Sequence, residues 1–157
     1  RELKSNLIEL RPIVEAAVQQ KSREAGDRDI EFVVDLNGGA VIADANGLTQ
    51  ALKNYLDNAI KFTRYVAYPK IEVGSKETTN TCLIWVRDNG VGFDMKYHDR
   101  IFDIFQRLHR SEDYPGAGIG LAIVRKAMER MGGRAWGESE HGKGTTFYLE
   151  IPKSRRL

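Results

Sequence analysis

Residues 88–93 read Asp88-Asn89-Gly90-Val91-Gly92-Phe93, a carboxylate at the end of an apolar, alternating run, followed by two glycines that favour a turn. A second cluster, Gly116-Ala117-Gly118-Ile119-Gly120, stands directly before a segment with helical apolar spacing. Backbone N–H groups at such a helix start bind anions. The two clusters together suggest a nucleotide site, in which Asp88 accepts a hydrogen bond from a base amino group and the glycines hold the phosphates.

The position of Asp88 allows two interpretations. The predicted strand 81–88 carries apolar side chains on both faces, which is typical of a central strand. A carboxylate at the end of a buried strand is costly without a partner, which favours a functional role. The sequence Asp-Asn-Gly also forms ordinary turns, so this residue alone leaves both interpretations open.

The composition limits the class of protein. The chain has 157 residues, enough for one domain whose core needs no disulfide or metal. Its net charge of +2 is too small to indicate a nucleic acid or an acidic membrane surface as partner. The single cysteine, Cys82, excludes a disulfide framework within the chain, and no segment resembles a membrane span or a signal peptide. These features are typical of a cytoplasmic protein.

Turn residues divide the chain into helices and strands. Helical patterns begin at Pro12, after Asp44 and at Gly118. Asn37-Gly38-Gly39 predicts a hairpin between strands 30–36 and 40–43. Residues 76–80 predict a second hairpin, between strands 70–75 and 81–88.

The helix that follows Asp44 has an informative polar edge. Asn54, Asn58 and Lys61 lie within about 60° of one another, at roughly 100° per residue. An Asn carbonyl is a hard oxygen ligand suited to Mg²⁺, and a Lys ammonium is a point charge for phosphate. The edge therefore suits a metal-bound phosphate chain, although the same residues also suit an ordinary solvated helix face.

The segment 94–115 differs in character from the rest of the chain. It is rich in charge, has little periodicity and contains one short apolar piece, 101–105. Such a stretch between two glycine motifs predicts a mobile lid with a hydrophobic latch. Phe102 and Phe105 fit the core of a short helix equally well.

Five short motifs follow one another along the chain. They are Asn54-x3-Asn58-x2-Lys61-Phe62, Asp88-x-Gly90-x-Gly92, Phe102-x2-Phe105, Gly116-x-Gly118-x-Gly120-Leu121 and Gly142-x-Gly144-Thr145-Thr146-Phe147. In order and spacing this succession resembles the N, G1, F, G2 and G3 boxes of the catalytic ATP-binding domain of sensor histidine kinases. Each motif alone is a weak signal, whereas five in order are a strong one. The sequences of residues 105–110 and 133–136 are similar to those of phytochrome-like and PAS-linked kinases.

The resemblance implies a role for each matching position. Asp88 is implied to accept a hydrogen bond from the adenine amino group, with Gly92 and Thr146 completing the base pocket. Asn58 is implied to bind Mg²⁺, with Asn54 in support.

The phosphate end of ATP is implied to meet the catalytic residues Asn54, Lys61, Arg107 and Arg110. Asn54 stands where related ATPases have a glutamate, and an amide cannot act as a general base, so phosphoryl transfer is favoured over hydrolysis. Ala117 departs from the usual Thr or Ser of the G2 box, with a modest expected effect. The other positions implied to contact ATP are Gly90, Phe105, Gly116, Gly118, Ile119, Gly120 and Leu121.

The implied fold is a two-layer α/β sandwich, with one mixed sheet and helices on one face. Residues 11–152 are expected to form the ATP-binding domain, with its lid at about 94–117, and residues 153–157 to form a tail. Residues 1–10 are expected to contain the end of an upstream dimerisation segment and the first strand. Because the chain begins at Arg1, we expect it to be a piece of a larger protein.

The implied partners lie outside the chain. His98, His109 and His141 lack the family's acceptor pattern, so the target histidine is expected on a dimerisation domain of the same homodimeric protein. That domain would pass the phosphoryl group to a response regulator, and neither nucleic acid nor membrane is an expected partner. Two alternatives remain: a related ATPase or serine kinase of the same superfamily, and a non-catalytic nucleotide-binding or interaction module.

Overall fold

The computed structural model of this chain describes residues 5–92 and 117–153, with the backbone alone for residues 117–120. Its elements are β1 (Asn6–Glu9), α1 (Leu10–Ala25), β2 (Glu31–Asp35), β3 (Ala40–Ala43), α2 (Ala45–Phe62), β4 (Lys70–Glu77), β5 (Thr81–Asp88), α3 (Ala117–Arg130), β6 (Arg134–Glu140) and β7 (Gly144–Pro152). Predictions about residues 93–116 lie outside the described residues. Within the described ranges, no helix combines the length and the apolar character needed to cross a membrane.

The main sheet has five strands in the order β2-β4-β5-β7-β6. β2 and β4 are parallel, and the other neighbouring strands are antiparallel. β1 and β3 form a separate antiparallel pair. β5 lies at the centre of the main sheet, as its apolar side chains on both faces predict.

The helices pack side by side, with α2 between α1 and α3. The side chains of β5 and β7 alternate, so that every second one is buried in a core shared with the helices and the others are more accessible. Ile84, Phe147 and Leu149 are fully buried in this core. The predicted two-layer α/β sandwich with a mixed sheet is therefore confirmed.

One of the two predicted hairpins is wrong. β2 pairs with β4 and β3 pairs with β1, so residues 37–39 do not join neighbouring strands. The Ser75 hydroxyl accepts a hydrogen bond from Asn37 N at 2.8 Å and donates one to Asn37 O at 3.0 Å. These bonds fix the end of β2 to β4 instead of turning the chain back on itself. The second hairpin is confirmed, with Glu77 opposite Cys82.

The sheet fixes the rotation of α2, the helix with the polar edge. Asp44 begins this helix, because its Oδ2 accepts a hydrogen bond from Gly47 N at 2.7 Å. The buried Tyr55 stacks on Phe147, with ring centroids 5.0 Å apart, and its hydroxyl donates to Tyr148 O at 2.9 Å. The polar edge lies about a quarter turn around the helix from this contact, so it is held at the side of the helix–sheet interface.

Candidate functional site

The carboxylate of Asp88 lies at the end of β5, 4% exposed. Its Oδ1 accepts a hydrogen bond from Gly90 N at 2.8 Å. Its Oδ2 is buried and, within the described part of the chain, has no hydrogen-bond partner. Burial raises the pKa of this carboxyl from 3.8 to about 7, although the backbone N–H groups of Gly90 and Thr145 act in the opposite direction. A buried acceptor without a partner costs free energy in the unliganded protein, and a ligand donor would relieve that cost.

Three glycines bring the backbone around Asp88 into close contact with neighbouring segments. A Cβ at Gly90 would collide with the Phe62 carbonyl at the end of α2. Gly92 has φ +69° and Gly144 has φ +128°, and a Cβ at either residue would collide with a backbone carbonyl across the site. No space remains for a Cβ at any of the three, and at Gly92 and Gly144 the φ values are also ones that L side chains rarely adopt.

Two backbone hydrogen bonds hold the loop 88–92 between distant elements. Val91 N donates to Phe62 O at 3.1 Å, which joins the loop to the end of α2. Gly142 N donates to Val91 O, which joins the loop to the turn between β6 and β7. The predicted G1 and G3 motifs are therefore parts of one contact.

The register between β5 and β7 distinguishes two neighbouring threonines. Asp88 lies opposite Thr145, which is 2% exposed on the same face of the sheet. Thr146 lies on the other face, where its Oγ1 accepts a hydrogen bond from Arg87 Nε at 3.3 Å. The structure thus brings Thr145 to Asp88 and places Thr146, the threonine predicted for the base pocket, on the opposite face of the sheet. The sequence does contain a signal for this choice. Side chains of β7 alternate between the two faces of the sheet, and Thr145 lies two residues before the apolar Phe147, so both point to the buried face.

The polar edge of α2 is partly buried. Asn58 is 3% exposed, whereas Asn54 and Lys61 are partly exposed. This burial argues against an ordinary solvated helix face. Of these three residues, Asn54 lines a groove of about 220 Å³ between α2 and α3.

The described part of the G2 motif begins a helix. α3 starts at Ala117, so the backbone of Gly118, Ile119 and Gly120 lies in its first turn. N–H groups in a first turn have no intrahelical partner and attract anions. Leu121 is fully buried and belongs to the core. Phe105, Arg107, Arg110 and Gly116, which sequence reasoning assigns to the site, lie outside the described residues.

The fold and the site together define a class of protein. An acid at the end of the central strand, a glycine cradle beside it and a helix start across from a polar helix edge are typical of a nucleotide-binding α/β sandwich. Comparison with known proteins gives the family. Residues 43–155 match the family described as "Histidine kinase-, DNA gyrase B-, and HSP90-like ATPase", and the chain belongs to it.

Two curated relatives illustrate the family at the level of sequence. Cyanobacterial phytochrome A from Nostoc sp. is 47% identical over 116 residues, which cover 74% of this chain and 15% of the relative. The methanogenesis regulatory histidine kinase FilI from Methanothrix harundinacea is 38% identical over 140 residues, which cover 89% of this chain and 16% of the relative. The chain therefore spans about one sixth of the length of these relatives.

Solved structures show the same arrangement of elements. The mycobacterial sensor histidine kinase MprB is 25% identical with a TM-score of 0.81, over 95% of this chain and 97% of that one. Full-length ShkA in complex with AMPPNP is 26% identical with a TM-score of 0.79, over 97% of this chain and 32% of that one. These similarities agree with the predicted ATP-binding fold of sensor histidine kinases.

Proposed function

We propose that this chain is the ATP-binding catalytic domain of a two-component sensor histidine kinase. It binds Mg²⁺-ATP and transfers the γ-phosphoryl group to a histidine on a separate dimerisation domain. In this proposal residues 11–152 form the domain, residues 1–10 continue from the dimerisation segment, and residues 153–157 form a tail.

The observation that carries the proposal is the unpartnered Oδ2 of Asp88 beside the glycine cradle. The adenine amino group is a donor, and an orphaned carboxylate oxygen is the acceptor that it needs. Gly90 and Gly92 let the loop 88–92 pack directly against the backbone carbonyls of Phe62 and Glu140, which fixes the loop that follows Asp88. Thr145, buried beside Asp88, is the threonine that we assign to the base pocket.

At the phosphate end, the protein positions charge rather than forming covalent bonds with the substrate. Asn58 would hold Mg²⁺ through its amide oxygen, and Asn54 would orient that amide. Lys61 would neutralise phosphate charge, together with Arg107 and Arg110. When bound, Mg²⁺ would neutralise charge on the transferring phosphoryl group. It would need few protein ligands, because the nucleotide phosphates and water supply the others.

The partners follow from the same proposal. The acceptor histidine belongs to a dimerisation domain of the parent protein, a homodimer whose kinase region is cytoplasmic. A response regulator receives the phosphoryl group from that histidine. The likeness to named histidine kinases and to full-length ShkA supports this organisation.

The test is calorimetry of Mg²⁺-ATP binding to the chain and to two variants. Asp88→Asn replaces the free acceptor with an amide, and we expect roughly 100-fold weaker binding. Asn58→Ala removes the Mg²⁺ ligand, so its ATP affinity should no longer depend on Mg²⁺. Transfer of labelled γ-phosphate to an added histidine-containing dimerisation domain then tests the kinase reaction.

Asp57→Asn is the matched control for Asp88→Asn. Asp57 lies on α2 next to Asn58, but its Oδ1 pairs with Lys21 Nζ of α1 at 2.9 Å, away from the site. We expect this variant to bind Mg²⁺-ATP like the unmodified chain. Failure of the unmodified chain to bind Mg²⁺-ATP would exclude the proposal. Binding without transfer to any histidine domain would favour the non-catalytic module instead.

A further inference from the structure

The C-terminal end of α2 is held by an unusually complete set of hydrogen bonds. The last four carbonyls of a helix have no intrahelical partner. Three of those of α2 have local donors: Thr63 N donates to Ala59 O at 3.1 Å, Arg64 N donates to Lys61 O at 3.2 Å, and Thr63 Oγ1 lies 3.1 Å from Ile60 O. Thr63 Oγ1 also lies 2.8 Å from Ala59 O. These bonds close the helix but do not tie it to another part of the chain.

The carbonyl of Ile60 is also tied to a distant loop. Arg28, in the connection between α1 and β2, donates from Nη1 to Ile60 O at 2.6 Å. Its Nη2 donates to Thr63 Oγ1 at 3.3 Å, so one guanidinium holds both the final turn and its capping residue. Thirty-two residues separate Arg28 from Ile60, so the contact fixes the end of α2 to the connection between α1 and β2.

The fourth carbonyl belongs to the proposed site. Phe62 O accepts the hydrogen bond from Val91 N and stands against Gly90. Lys61, one residue earlier, lies in the same final turn. A shift of this turn would therefore move both the loop that follows Asp88 and the lysine assigned to the phosphates.

We propose that Arg28 is a positioning residue for nucleotide binding, which acts by locking the final turn of α2 against the loop 88–92. Arg28 does not itself touch the nucleotide. The inference rests on the proposed function for its consequence, ATP affinity, but its first step concerns the structure of the unliganded chain.

The electrostatics agree with this role. The C-terminus of a helix carries partial negative charge, which cations stabilise. Burial and the like charge of Arg64 act against this by lowering the pKa of the Arg28 guanidinium, which nevertheless remains protonated at neutral pH. A lysine at position 28 would keep the charge, but it lacks the planar fork that reaches two acceptors at once.

Three variants test the proposal. Arg28→Met removes all donors while keeping an apolar stem, and Arg28→Lys keeps the charge with a single donor group. Lys21→Met is the matched control, because it removes another cation that is bound to α2, through Asp57, away from the helix end. Any general effect of removing a cation that is bound to α2 should appear in the control.

The first measurement is amide hydrogen exchange by NMR on the unliganded chain. Arg28→Met should speed exchange of the Val91 amide about tenfold, because its acceptor loses its fixed position. The amide of Leu48, which bonds to Asp44 O at the other end of α2, should exchange at its original rate. Lys21→Met should leave Val91 unchanged. Equal Val91 exchange in Arg28→Met and the unmodified chain would overturn the proposal, whether or not ATP binds.

The second measurement is calorimetry of Mg²⁺-ATP binding. Arg28→Met should bind about tenfold more weakly, and Arg28→Lys should lie between it and the unmodified chain. Affinity of Arg28→Met equal to that of Lys21→Met would refute the positioning role. Absence of binding by the unmodified chain would instead refute the proposed function. The exchange rates would still test whether Arg28 holds the final turn of α2 against the loop 88–92.

Discussion

Asp88→Asn should make the protein more stable at neutral and alkaline pH, although it weakens nucleotide binding. The Asp88 carboxyl has its pKa raised from 3.8 to about 7 by burial. Between these values the folded protein holds a proton that the unfolded chain has lost, so stability falls as pH rises. Each pH unit within that interval changes the free energy of unfolding by about 1.4 kcal/mol. From pH 5 to pH 8 the free energy of unfolding falls by about 3 kcal/mol, and nearly all of this fall has occurred by about pH 7.

The assay is urea unfolding of the unmodified chain and of Asp88→Asn at half-unit steps from pH 5 to pH 8. Trp85 and Trp136 provide the fluorescence signal. Because other groups titrate equally in both proteins, the difference between the two unfolding free energies isolates Asp88. That difference should grow by about 3 kcal/mol in favour of the variant, against a total stability of roughly 5–15 kcal/mol.

A difference that stays constant within about 1 kcal/mol over this range would refute the reasoning. It would mean that Oδ2 of Asp88 is solvated or paired in the unliganded protein, and the basis for the base pocket would be lost. Asp57→Asn is again the matched control, because it makes the same change from carboxylate to amide on a partly exposed side chain away from the site.

Three further outcomes follow from the same contacts. Adenosine binding should tighten as pH rises to about 7 and then level off, because the amino group donates to the ionised form of Asp88; a flat titration by calorimetry would contradict this. Gly92→Ala should lower the free energy of unfolding by roughly 2 kcal/mol or more, whereas Gly39→Ala, where a Cβ meets open space, should be close to neutral in urea. Thr145→Val should weaken Mg²⁺-ATP binding about tenfold and Thr146→Val less than twofold, and the opposite order would restore Thr146 to the pocket.

Local signals in the sequence account for much of the fold and the site. The alternating apolar run before Asp88 predicts the central strand, and glycine spacing marks the segments that meet around it. Asn37-Gly38-Gly39 misleads, because Ser75 provides the turn backbone with partners from a strand far along the chain. Arg28 was missed for a similar reason: an arginine in a loop shows no periodicity, and its acceptor lies 32 residues away.

The threonine pair shows a different limit. Both threonines follow the same glycine, and resemblance to a motif does not say which one faces the acid. The parity of Phe147, Leu149 and Ile151 decides it once the strand is known to be central. The missing hydrogen-bond partner of Asp88 Oδ2, by contrast, depends on how several segments pack around it and has no signature in the sequence.

The loop 88–92 is joined to Phe62 on one side and to Gly142 on the other. During synthesis Phe62 and Asp88 leave the ribosome well before Gly142, so one wall of the pocket is the last part to appear. A nascent chain that ends before the turn between β6 and β7 has no closed cradle for a nucleotide. Acquisition of ATP binding would therefore indicate that nearly the whole domain has been made and folded. Premature termination would yield a product that does not bind ATP, rather than a partly active one.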